Sequence, residues 1–368
     1  MRFPEFSGEW EMVSLQDIAT INPKSDPLQN TFIYIDLEAV EKGELRKIQE
    51  IMREEAPSRA QRVIDNNDIL FQCVRPYQKN NYIHRILNTS NQQWVASTGY
   101  AQIRTTELPN YIYHLLNTDE FNRKVMVRCT GSSYPAINSE DLATIHLYYT
   151  PDKKEQLKIS RLLDLLDKRI ATQNKIIEDL KKLKSAISLN VLHSDKWEQF
   201  KIKDIAQIGR GRVISSIEIG QQKSPTYPVY SSQTSNDGIM GYLDDYMFEG
   251  EYISWTTDGA NAGTVFYRNG KFNCTNVCGL LKLRKEFDTH FVSLVLAEAT
   301  KKYVSINLAN PKLMNNTMGN IQIRLPKLEE QKRISIVFRV LQRLWTVHNS
   351  LLTEYTKQEQ YLLSQMFI

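Results

Sequence analysis

The sequence predicts an α+β protein in which two mixed α/β domains lie in tandem, separated by two long antiparallel coiled-coil helices in a pseudo-two-fold arrangement. Three observations predict this fold. A domain-opening segment occurs twice, as WEMVSLQDIATIN from Trp10 and as WEQFKIKDIAQIG from Trp197. A helix-opening segment also recurs, as TPDKKEQLKIS from Thr150 and LPKLEEQKRIS from Leu325. A heptad pattern of apolar residues follows each copy of the second segment.

The two repeats divide the chain into four segments in the order A-B-A′-B′. A repeat of this length is too long for a solenoid and indicates a duplicated pair of domains. We expect the first domain at residues 1–150 and a central long helix at 151–193. The second domain is expected at 194–325, followed by a C-terminal long helix at 326–368.

Composition restricts the class of protein. The chain has 368 residues, of which 41% are hydrophobic and 24% are charged, and this predicts a globular protein of two or three domains. It contains neither an apolar run long enough to span a membrane nor a secretory signal, so we expect a cytoplasmic protein. Four cysteines are too few for a disulfide framework. The Cys274 and Cys278 pair lacks the further ligands of a zinc site, and no metal is predicted.

Local patterns predict the elements of each domain. In the first, β-branched and aromatic residues predict strands at TFIYIDL, DILFQCV, WVASTGYAQI and TIHLYYT, and NYIYHLLNTDEFNRKVM is typical of a helix. In the second, the predicted strands are YISWTT, GTVFYR and NVCGLLKL, and the helix is DTHFVSLVLAEATKKY. Polar loops such as SSQTSNDGIMG and TTDGANAG join the strands, and loops of this kind commonly carry recognition residues.

Both long helices carry a strict heptad pattern, whose positions step by three and four residues over 159–187 and 334–362. In an antiparallel pair, Gln173 and His348 would occupy neighbouring layers, where a buried polar pair penalises slipped registers. The alternative is that each is a surface helix of a globular domain. The predicted helix–helix seam consists of Ile159, Leu162, Leu166, Gln173, Ile176, Leu180, Leu183, Ile187, Ile334, Val337, Leu341, Leu344, His348, Leu351, Tyr355 and Leu362.

No pattern in the chain predicts catalysis. The sequence has no phosphate-binding loop, and the Asn-Pro pair at Asn22 is not followed by the residues of an amino-methyltransferase motif. The nuclease-like run of Asp179, Leu180 and Lys181 falls on the first long helix, where a solvated charged face explains it. No catalytic residue is therefore predicted.

Charge alone does not indicate a nucleic-acid-binding protein. The net charge is only +4, and residues 1–150 carry 15 Lys and Arg against 19 Asp and Glu. A protein that binds DNA unaided usually has a stronger basic footprint, because phosphate contacts dominate the affinity.

The arrangement of repeats nevertheless resembles the DNA-specificity subunit of type I restriction–modification systems. The shared features are the A-B-A′-B′ order, the Trp-Glu domain openings, and the Pro-x-x-x-Glu-Gln helix openings at Pro151 and Pro326. The strings PSRAQRVIDNNDILFQCVRPYQKN and WVASTGYAQIR resemble one kind of target-recognition domain. The strings YPVYSSQTSNDGIMGY and TTDGANAGTVFYRNGKFNCTN resemble another, so the resemblance covers essentially the whole chain.

This resemblance implies a non-catalytic subunit whose two domains each read one half of a bipartite target in double-stranded DNA. The helices would set the spacer and dock two methyltransferase subunits, to which restriction and translocase subunits add. No cofactor is expected in this chain, since S-adenosylmethionine, ATP and Mg would belong to the partner subunits. Two alternatives stay open: a coiled-coil protein-interaction scaffold, and a DNA nuclease or methyltransferase with an unrecognised active site.

Side chains that suit base edges identify the candidate DNA-binding residues within the recognition strings. In the first domain they are Arg59, Gln61, Arg75, Gln78, Lys79, Asn80, Ser97 and Thr98. In the second domain they are Ser231, Ser232, Gln233, Thr234, Asn236, Thr257, Asp258, Asn261, Thr275 and Asn276.

Overall fold

A computed structural model describes residues 2–85, 92–192, 194–305 and 310–367. The chain forms two compact units, Met1–Lys175 with Asn349–Ile368, and Ile176–His348. The four segments defined by the sequence repeats remain a prediction, and three of their boundary residues, Met1, His193 and Ile368, lie outside the described residues. No helix in the described ranges is long and apolar enough to cross a bilayer.

The first unit combines short strands with helices. Its strands are β1 (Glu11–Ser14), β2 (Ala19–Ile21), β3 (Thr31–Ile35), β4 (Val40–Glu41), β5 (Glu44–Leu45), β6 (Gln49–Met52), β7 (Ala60–Val63), β8 (Ile69–Gln72), β9 (Tyr82–Ile83), β10 (Gln93–Ser97), β11 (Tyr100–Thr105) and β12 (His146–Tyr149). Its helices are α1 (Leu15–Ile18), α2 (Pro109–Leu116), α3 (Asp119–Arg128) and α4 (Ser139–Ala143), followed by the long α5 (Lys153–Val191), which continues into the second unit.

Two four-stranded sheets organise this unit, in the orders β6-β3-β10-β7 and β2-β11-β8-β9. Strands β3 and β10 are parallel, and β1 pairs antiparallel with β12. The main core lies where α2 and α3 cover the second sheet, with Phe71, Tyr111 and Phe121 all buried. A second core, which includes Trp94 and Tyr100, contains residues of both sheets. The sheets are therefore fixed against each other and against the helices.

The second unit has an equivalent set of elements. Its strands are β13 (Glu198–Lys201), β14 (Ala206–Arg210), β15 (Tyr227–Tyr230), β16 (Ile239–Leu243), β17 (Phe248–Glu249), β18 (Tyr252–Thr256), β19 (Val265–Arg268), β20 (Lys271–Cys274), β21 (Cys278–Leu283) and β22 (Gln322–Leu325). Its helices are α6 (Ile202–Ile205), α7 (Ser216–Gly220), α8 (Thr289–Ala299) and α9 (Asn315–Asn320), followed by the long α10 (Leu328–Met366).

The sheet orders of the two units correspond strand by strand. The order β14-β21-β18-β19 repeats β2-β11-β8-β9, and β16-β15-β20-β17 repeats β6-β3-β10-β7. The parallel pair β15 and β20 corresponds to β3 and β10, and the pair β13 and β22 corresponds to β1 and β12. The two copies of the domain-opening segment thus begin two domains of the same topology.

The long helices α5 and α10 pack against each other in antiparallel orientation within each unit. In the first unit, Leu162 packs in one cluster with Leu362, and the guanidinium of Arg169 lies 5.5 Å from the ring centre of Tyr355. In the second unit, Lys184 Nζ donates to Gln342 Oε1 at 3.5 Å, and α5 residue Ile187 joins a core that contains α10 residues 334 and 338. As the residue numbers rise along α5, the numbers of the contacting residues on α10 fall. The two helices are therefore antiparallel, as the sequence predicted.

The repeated Glu-Gln dipeptide has a structural role at the start of each long helix. Gln156 is buried, and its Nε2 donates to the carbonyl of Thr150 at 2.8 Å while its Oε1 accepts from the amide of Leu108. Gln331 is also buried and makes the equivalent contacts at the start of α10, with distances of 2.8 and 2.9 Å. Each glutamine ties its long helix to the beginning of the domain helix, α2 or α8.

The structure corrects part of the predicted seam. Four of its residues are exposed rather than buried between the helices: Leu183, Val337, Leu344 and Leu351. The side chains that are buried instead include Leu163 and Phe338. Both helices have apolar residues on more than one stripe, and a straight helix of 3.6 residues per turn drifts out of heptad phase. The buried stripe is the one that faces the domain cores as well as the other helix.

Two predicted elements are divided in the structure. The segment WVASTGYAQI forms β10 and β11, which belong to different sheets because the chain turns at Thr98 and Gly99. The helix predicted over residues 110–126 is two helices, since the side chain of Thr118 accepts a hydrogen bond from the amide of Phe121 and starts α3 as its N-cap. A turn explains the first difference, and a polar capping residue explains the second.

Candidate nucleic-acid interface

In the first domain, three loops meet at the end of the parallel strand β10. The amide of Thr98 donates to the carbonyl of Arg59 at 2.8 Å, and the amide of Cys73 donates to the carbonyl of Gly99 at 3.0 Å. These backbone bonds join the loop before β7, the loop after β8 and the turn after β10. Three stretches that the sequence singled out therefore lie side by side.

A cleft of about 730 Å³ opens among these loops, and four of the eight candidates line it: Arg59, Arg75, Gln78 and Asn80. The guanidinium of Arg75 lies 4.2 Å from the ring centre of Tyr134, a cation–π contact. Neither Arg59 nor Arg75 forms an ion pair with another residue in the described ranges. Both guanidinium groups are therefore available to a ligand that is anionic or accepts hydrogen bonds.

A buried glutamine that the sequence did not single out supports this cleft. Gln72 is buried, its Nε2 donates to Gln78 Oε1 at 2.9 Å, and its Oε1 accepts from the amide of Asn80 at 3.1 Å. Arg75 and Lys79 both have left-handed backbone conformations, with φ of 55° and 51°. Such conformations are unfavourable for residues other than glycine, so the turn needs the fixed support that Gln72 gives.

The remaining candidates of the first domain make internal hydrogen bonds. Lys79 Nζ pairs with Asp119 at 2.7 Å, and Gln61 Nε2 donates to the carbonyl of Ser58 at 2.6 Å. Ser97 is buried and accepts from the amide of Gly99, while Thr98 contributes its backbone to the loop junction. A role of these four in DNA binding stays a prediction.

In the second domain, the three predicted loops also converge at the ends of the parallel strands. The amide of Thr275, after β20, donates to the carbonyl of Tyr230 at the end of β15, at 2.9 Å. The amide of Thr257, after β18, donates to the carbonyl of Val277 at 3.1 Å. The arrangement is the counterpart of the first domain, although the sequences of the loops differ.

The candidates of the second domain differ in exposure. The exposed ones are Thr234, Asn236, Asn261 and Asn276. The partly buried ones are Ser231, Ser232, Gln233 and Asp258. Thr257 and Thr275 are buried, and Thr257 Oγ1 lies within hydrogen-bonding distance of Asp258 and of the Val277 carbonyl. The four exposed side chains can therefore reach a ligand directly, whereas Thr257 and Thr275 help to build the loops.

The sequence missed Arg268, which is almost completely buried beside the loop of residues 231–238. Its guanidinium lies 3.6 Å from the ring centre of Tyr230 and pairs with Asp237. Burial raises the pKa of Tyr230, so its phenol stays protonated at neutral pH. An arginine in a predicted strand is usually exposed, so the pattern gave no signal for burial.

Two further clusters contain residue types that can bind metals. Cys274 and Cys278 are buried in an apolar core with Phe272. His114 on α2 and Asp164 on α5 are 2.9 Å apart, and Asp167 lies near them, with ligand atoms within 4.8 Å of one another. The absence of a metal stays a prediction of the sequence, and the hydrogen bond between α2 and α5 accounts for the first pair.

Comparison with known proteins identifies the family. Residues 7–182 and 194–355 each match the Type I restriction modification DNA specificity domain. The chain belongs to the type I restriction–modification DNA specificity family. The two matched ranges contain the two interfaces described above, so both copies of the specificity domain carry converging polar loops at the same place in the fold.

Curated relatives of this specificity protein come from Mycoplasma pneumoniae (strain ATCC 29342 / M129 / Subtype 1). The putative type I specificity subunit S.MpnORF201P is 37% identical over 201 residues, which are 53% of this chain and 82% of that relative. The putative subunit S.MpnORF365P is 35% identical over 221 residues, 57% of this chain and 80% of the relative. The type I restriction enzyme MpnII specificity subunit is 42% identical over 149 residues, but this match covers only 44% of its length.

Solved structures share the fold over the whole specificity protein. The crystal structure of a type I restriction–modification system S subunit from M. genitalium has a TM-score of 0.72 at 15% identity and covers 98% of this chain and 96% of that one. A chain from a study of complex assembly and conformational transition of the type I system has a TM-score of 0.56 at 20% identity, with 97% of both chains covered. These similarities confirm the predicted fold class.

Membership also confirms the predicted class of function. The chain is a DNA-specificity subunit of the type I class, a recognition component that is not the catalytic one. This assignment favours a DNA-specificity subunit over the two alternatives, a coiled-coil protein-interaction scaffold and a nuclease or methyltransferase with an unrecognised active site.

Proposed function

We propose that this subunit reads a bipartite target in double-stranded DNA, and that each domain contacts one half-site through the loops at the ends of its parallel strands. The correspondence of the two sheet orders supports this division, because it gives the two domains equivalent recognition surfaces. The loop sequences differ, so we expect the two half-sites to differ. This single observation, one surface built twice with different side chains, carries the proposal.

The chemistry of the loops suggests how each half is read. Arg59 and Arg75 in the first domain suit the O6 and N7 acceptors of guanine, which arginine contacts with two hydrogen bonds. The exposed Asn236, Asn261 and Asn276 in the second domain suit the N6 and N7 pattern of adenine. These five residues are proposed as base contacts on these grounds.

The long helices are proposed to dock two methyltransferase subunits and to set the spacer between the half-sites. In the second unit, α10 has an exposed apolar stripe of Val337, Val340, Leu344 and Val347 at heptad spacing, which we call the α10 stripe. Beside it, a cleft of about 320 Å³ between α5 and α10 is lined by residues that include Leu180 and Trp345. Contiguous exposed apolar surface of this kind is typical of protein–protein interfaces.

The chemistry of the complex would then reside in its partners. S-adenosylmethionine is proposed on the methyltransferase subunits, and ATP with Mg on the restriction and translocase subunits that join them. The assembled enzyme would act in the cytoplasm, where its DNA substrate lies, and it needs no membrane. The low net charge of this chain is consistent with that arrangement, since partner subunits would supply much of the phosphate contact.

Methylome sequencing tests this proposal. A host without other methylation systems expresses the chain with a type I methyltransferase subunit, and the control expresses the methyltransferase alone. We expect methylation at one motif with two unlike halves and a fixed spacer of unspecified bases, and none in the control. An uninterrupted motif, or methylation that does not depend on the chain, would contradict it.

A further inference from the structure

Arg268, the last residue of β19, is held between two aromatic rings in the second domain. Its side chain is 1% exposed, and its guanidinium lies 3.6 Å from the ring centre of Tyr230 and 4.4 Å from that of Phe266. Its Nε donates to Ser254 Oγ at 3.0 Å. These three contacts fix the plane of the guanidinium, so its remaining N–H groups point in set directions.

One of those N–H groups donates a hydrogen bond to an acidic residue of the loop of residues 231–238. Arg268 Nη1 donates to Asp237 Oδ2 at 2.8 Å, and the Asp237 side chain is 67% exposed. Asn236 and Asp237 both have left-handed backbone conformations, with φ of 49° and 53°, and Gly238 follows with φ of 82°. Residues other than glycine keep such conformations when the surroundings hold them, and Arg268 does so here.

The pairing joins a buried cation to a carboxylate at the surface. Burying a guanidinium is unfavourable unless it is paired and hydrogen-bonded, so Asp237 offsets the cost of placing Arg268 inside the domain. In return, Asp237 cannot rotate freely, because one of its oxygens is bound. The Asp237 side chain is 67% exposed, so its other oxygen, Oδ1, is held at the surface in the loop that also contains the candidates Thr234 and Asn236.

We propose that Asp237 is the specificity-determining acceptor of the second domain, oriented by Arg268 as its positioning residue, and that it reads an exocyclic amino group in the half-site. The group is the N6 amine of adenine or the N4 amine of cytosine, the major-groove donors that a carboxylate can accept. This inference rests on the proposed function, because it requires that the loop faces DNA.

Electrostatics support an amino group as the ligand. A carboxylate in a DNA-facing loop is repelled by the phosphates unless it meets a hydrogen-bond donor. The pairing with Arg268 removes much of that repulsion and leaves an acceptor without net local charge. Guanine O6 and thymine O4 are themselves acceptors, so a fixed oxygen discriminates against both.

The same geometry predicts what an amide does at this position. In Asp237→Asn, the side-chain oxygen must face Arg268 Nη1, because that nitrogen needs an acceptor. The amide nitrogen then faces the base and presents a donor in place of an acceptor. The variant should therefore prefer a keto base, thymine or guanine, where the unaltered chain prefers an amino base.

The test measures the binding of the complex with its methyltransferase to duplexes that carry every single base-pair change in the target. We expect Asp237→Asn to lose about tenfold in affinity for the original target and to regain it when one amino base of the second half-site is replaced by a keto base. Arg268→Lys keeps a buried positive charge but not the fixed orientation, so it should weaken discrimination at the same base pair without reversing it. Glu249→Gln is the matched control, since Glu249 is an exposed carboxylate 4.0 Å from Lys271 outside the loop.

The outcomes distinguish a failure of this inference from a failure of the proposed function on which it rests. If Asp237→Asn has the same base preferences as Glu249→Gln, while the unaltered complex remains sequence-specific, the inference is overturned and the proposed function stands. If the unaltered complex has no sequence preference, both are overturned. Equal thermal stability of Asp237→Asn and the unaltered chain would show that a change in preference reflects the contact rather than unfolding.

Discussion

At the scale of single residues, the proposed recognition surfaces depend on side chains that other residues hold in place rather than on side chains that are merely exposed. Arg75 keeps a left-handed backbone and stacks on Tyr134, whereas Asp237 keeps the same kind of backbone and is bound by Arg268. In both cases a side chain that the fold fixes points into the loop region. Fixed groups bind more tightly than mobile ones, because less conformational entropy is lost on binding.

Arg75→Ala should weaken recognition of the half-site read by the first domain. The loss of one arginine contact to guanine corresponds to about 1–3 kcal/mol, or roughly fivefold to 150-fold in affinity. The measurement is a titration of the complex with the target and with a duplex changed at the contacted guanine. Arg123→Ala is the control, since Arg123 is exposed on α3 and pairs with Glu120. Equal affinities of the two variants for the target would contradict the assignment.

The sequence singled out these loops but not the residues that support them. The loop around Asn236 was chosen for its polar composition, and the segment around Arg59 for its resemblance to a target-recognition domain. Gln72 and Arg268 were missed because their roles depend on which loop packs above them, and that is decided by contacts between distant strands. Lys79 was predicted as a contact, yet in the structure its amine pairs with Asp119.

At the scale of elements, the helix pair contains an acidic contact in the first unit. Asp167 on α5 and Glu359 on α10 face each other, and burial together with the neighbouring carboxyl raises the pKa of Glu359 to about 7. Burial raises the pKa of Asp167 as well. A carboxyl whose pKa is higher in the folded protein than in the unfolded chain stabilises the fold when protonated. That contribution is complete at acidic pH and is lost as the pH rises through about 7.

Glu359→Gln should remove this dependence on pH. The free energy of unfolding at pH 8 should rise by on the order of 2 kcal/mol, or about 2–4 °C in Tm, because the variant has no carboxylate to bury. The difference between the variant and the unaltered chain should shrink as the pH falls to 5. Thermal melts across this range give the measurement. Glu354→Gln is the control, as Glu354 is exposed and pairs with Lys357, and it should not alter the profile.

The α10 stripe predicts that the chain assembles with a methyltransferase subunit through this exposed apolar surface. Val340→Lys combined with Val347→Lys should abolish assembly with the methyltransferase while leaving the Tm of the chain nearly unchanged, because both side chains are already exposed. Co-purification and size-exclusion chromatography measure assembly. Ile217→Lys is the control, since Ile217 is an exposed apolar residue on α7, away from the stripe. Assembly by the double variant at normal affinity would place the docking surface elsewhere.

Elements were predictable where the pattern is local. Heptad spacing predicted both long helices, and the chain repeats predicted two like domains, because each signal is present within a short window. The allocation of β10 and β11 to different sheets was not predictable, since strand pairing is a contact between distant segments. The choice of buried stripe on α10 also escaped prediction, because Val337 and Phe338 are adjacent apolar residues and the cores decide between them.

At the scale of the whole molecule, the duplication predicts that the two domains act independently. Exchanging residues 1–150 for another recognition domain of the family should change one half of the methylated motif and preserve the other. The reason is that the second domain has its own sheets and its own core. Methylome sequencing of the hybrid, beside the parent, gives the result. Loss of both halves in a hybrid that still assembles would show that the domains do not read separately.

The pairing of β1 with β12, and of β13 with β22, also has a consequence for how such proteins diversify. In each domain the first and the last strand are antiparallel neighbours. The residues between these two strands therefore form a cassette that is joined to the rest of the chain at one place. Genetic crossover at the segments that encode these strands would replace the cassette and leave the buried glutamines of the long helices in place. A lineage could thereby acquire a new target sequence in one recombination event, without any change in the helices that are proposed to dock its partners.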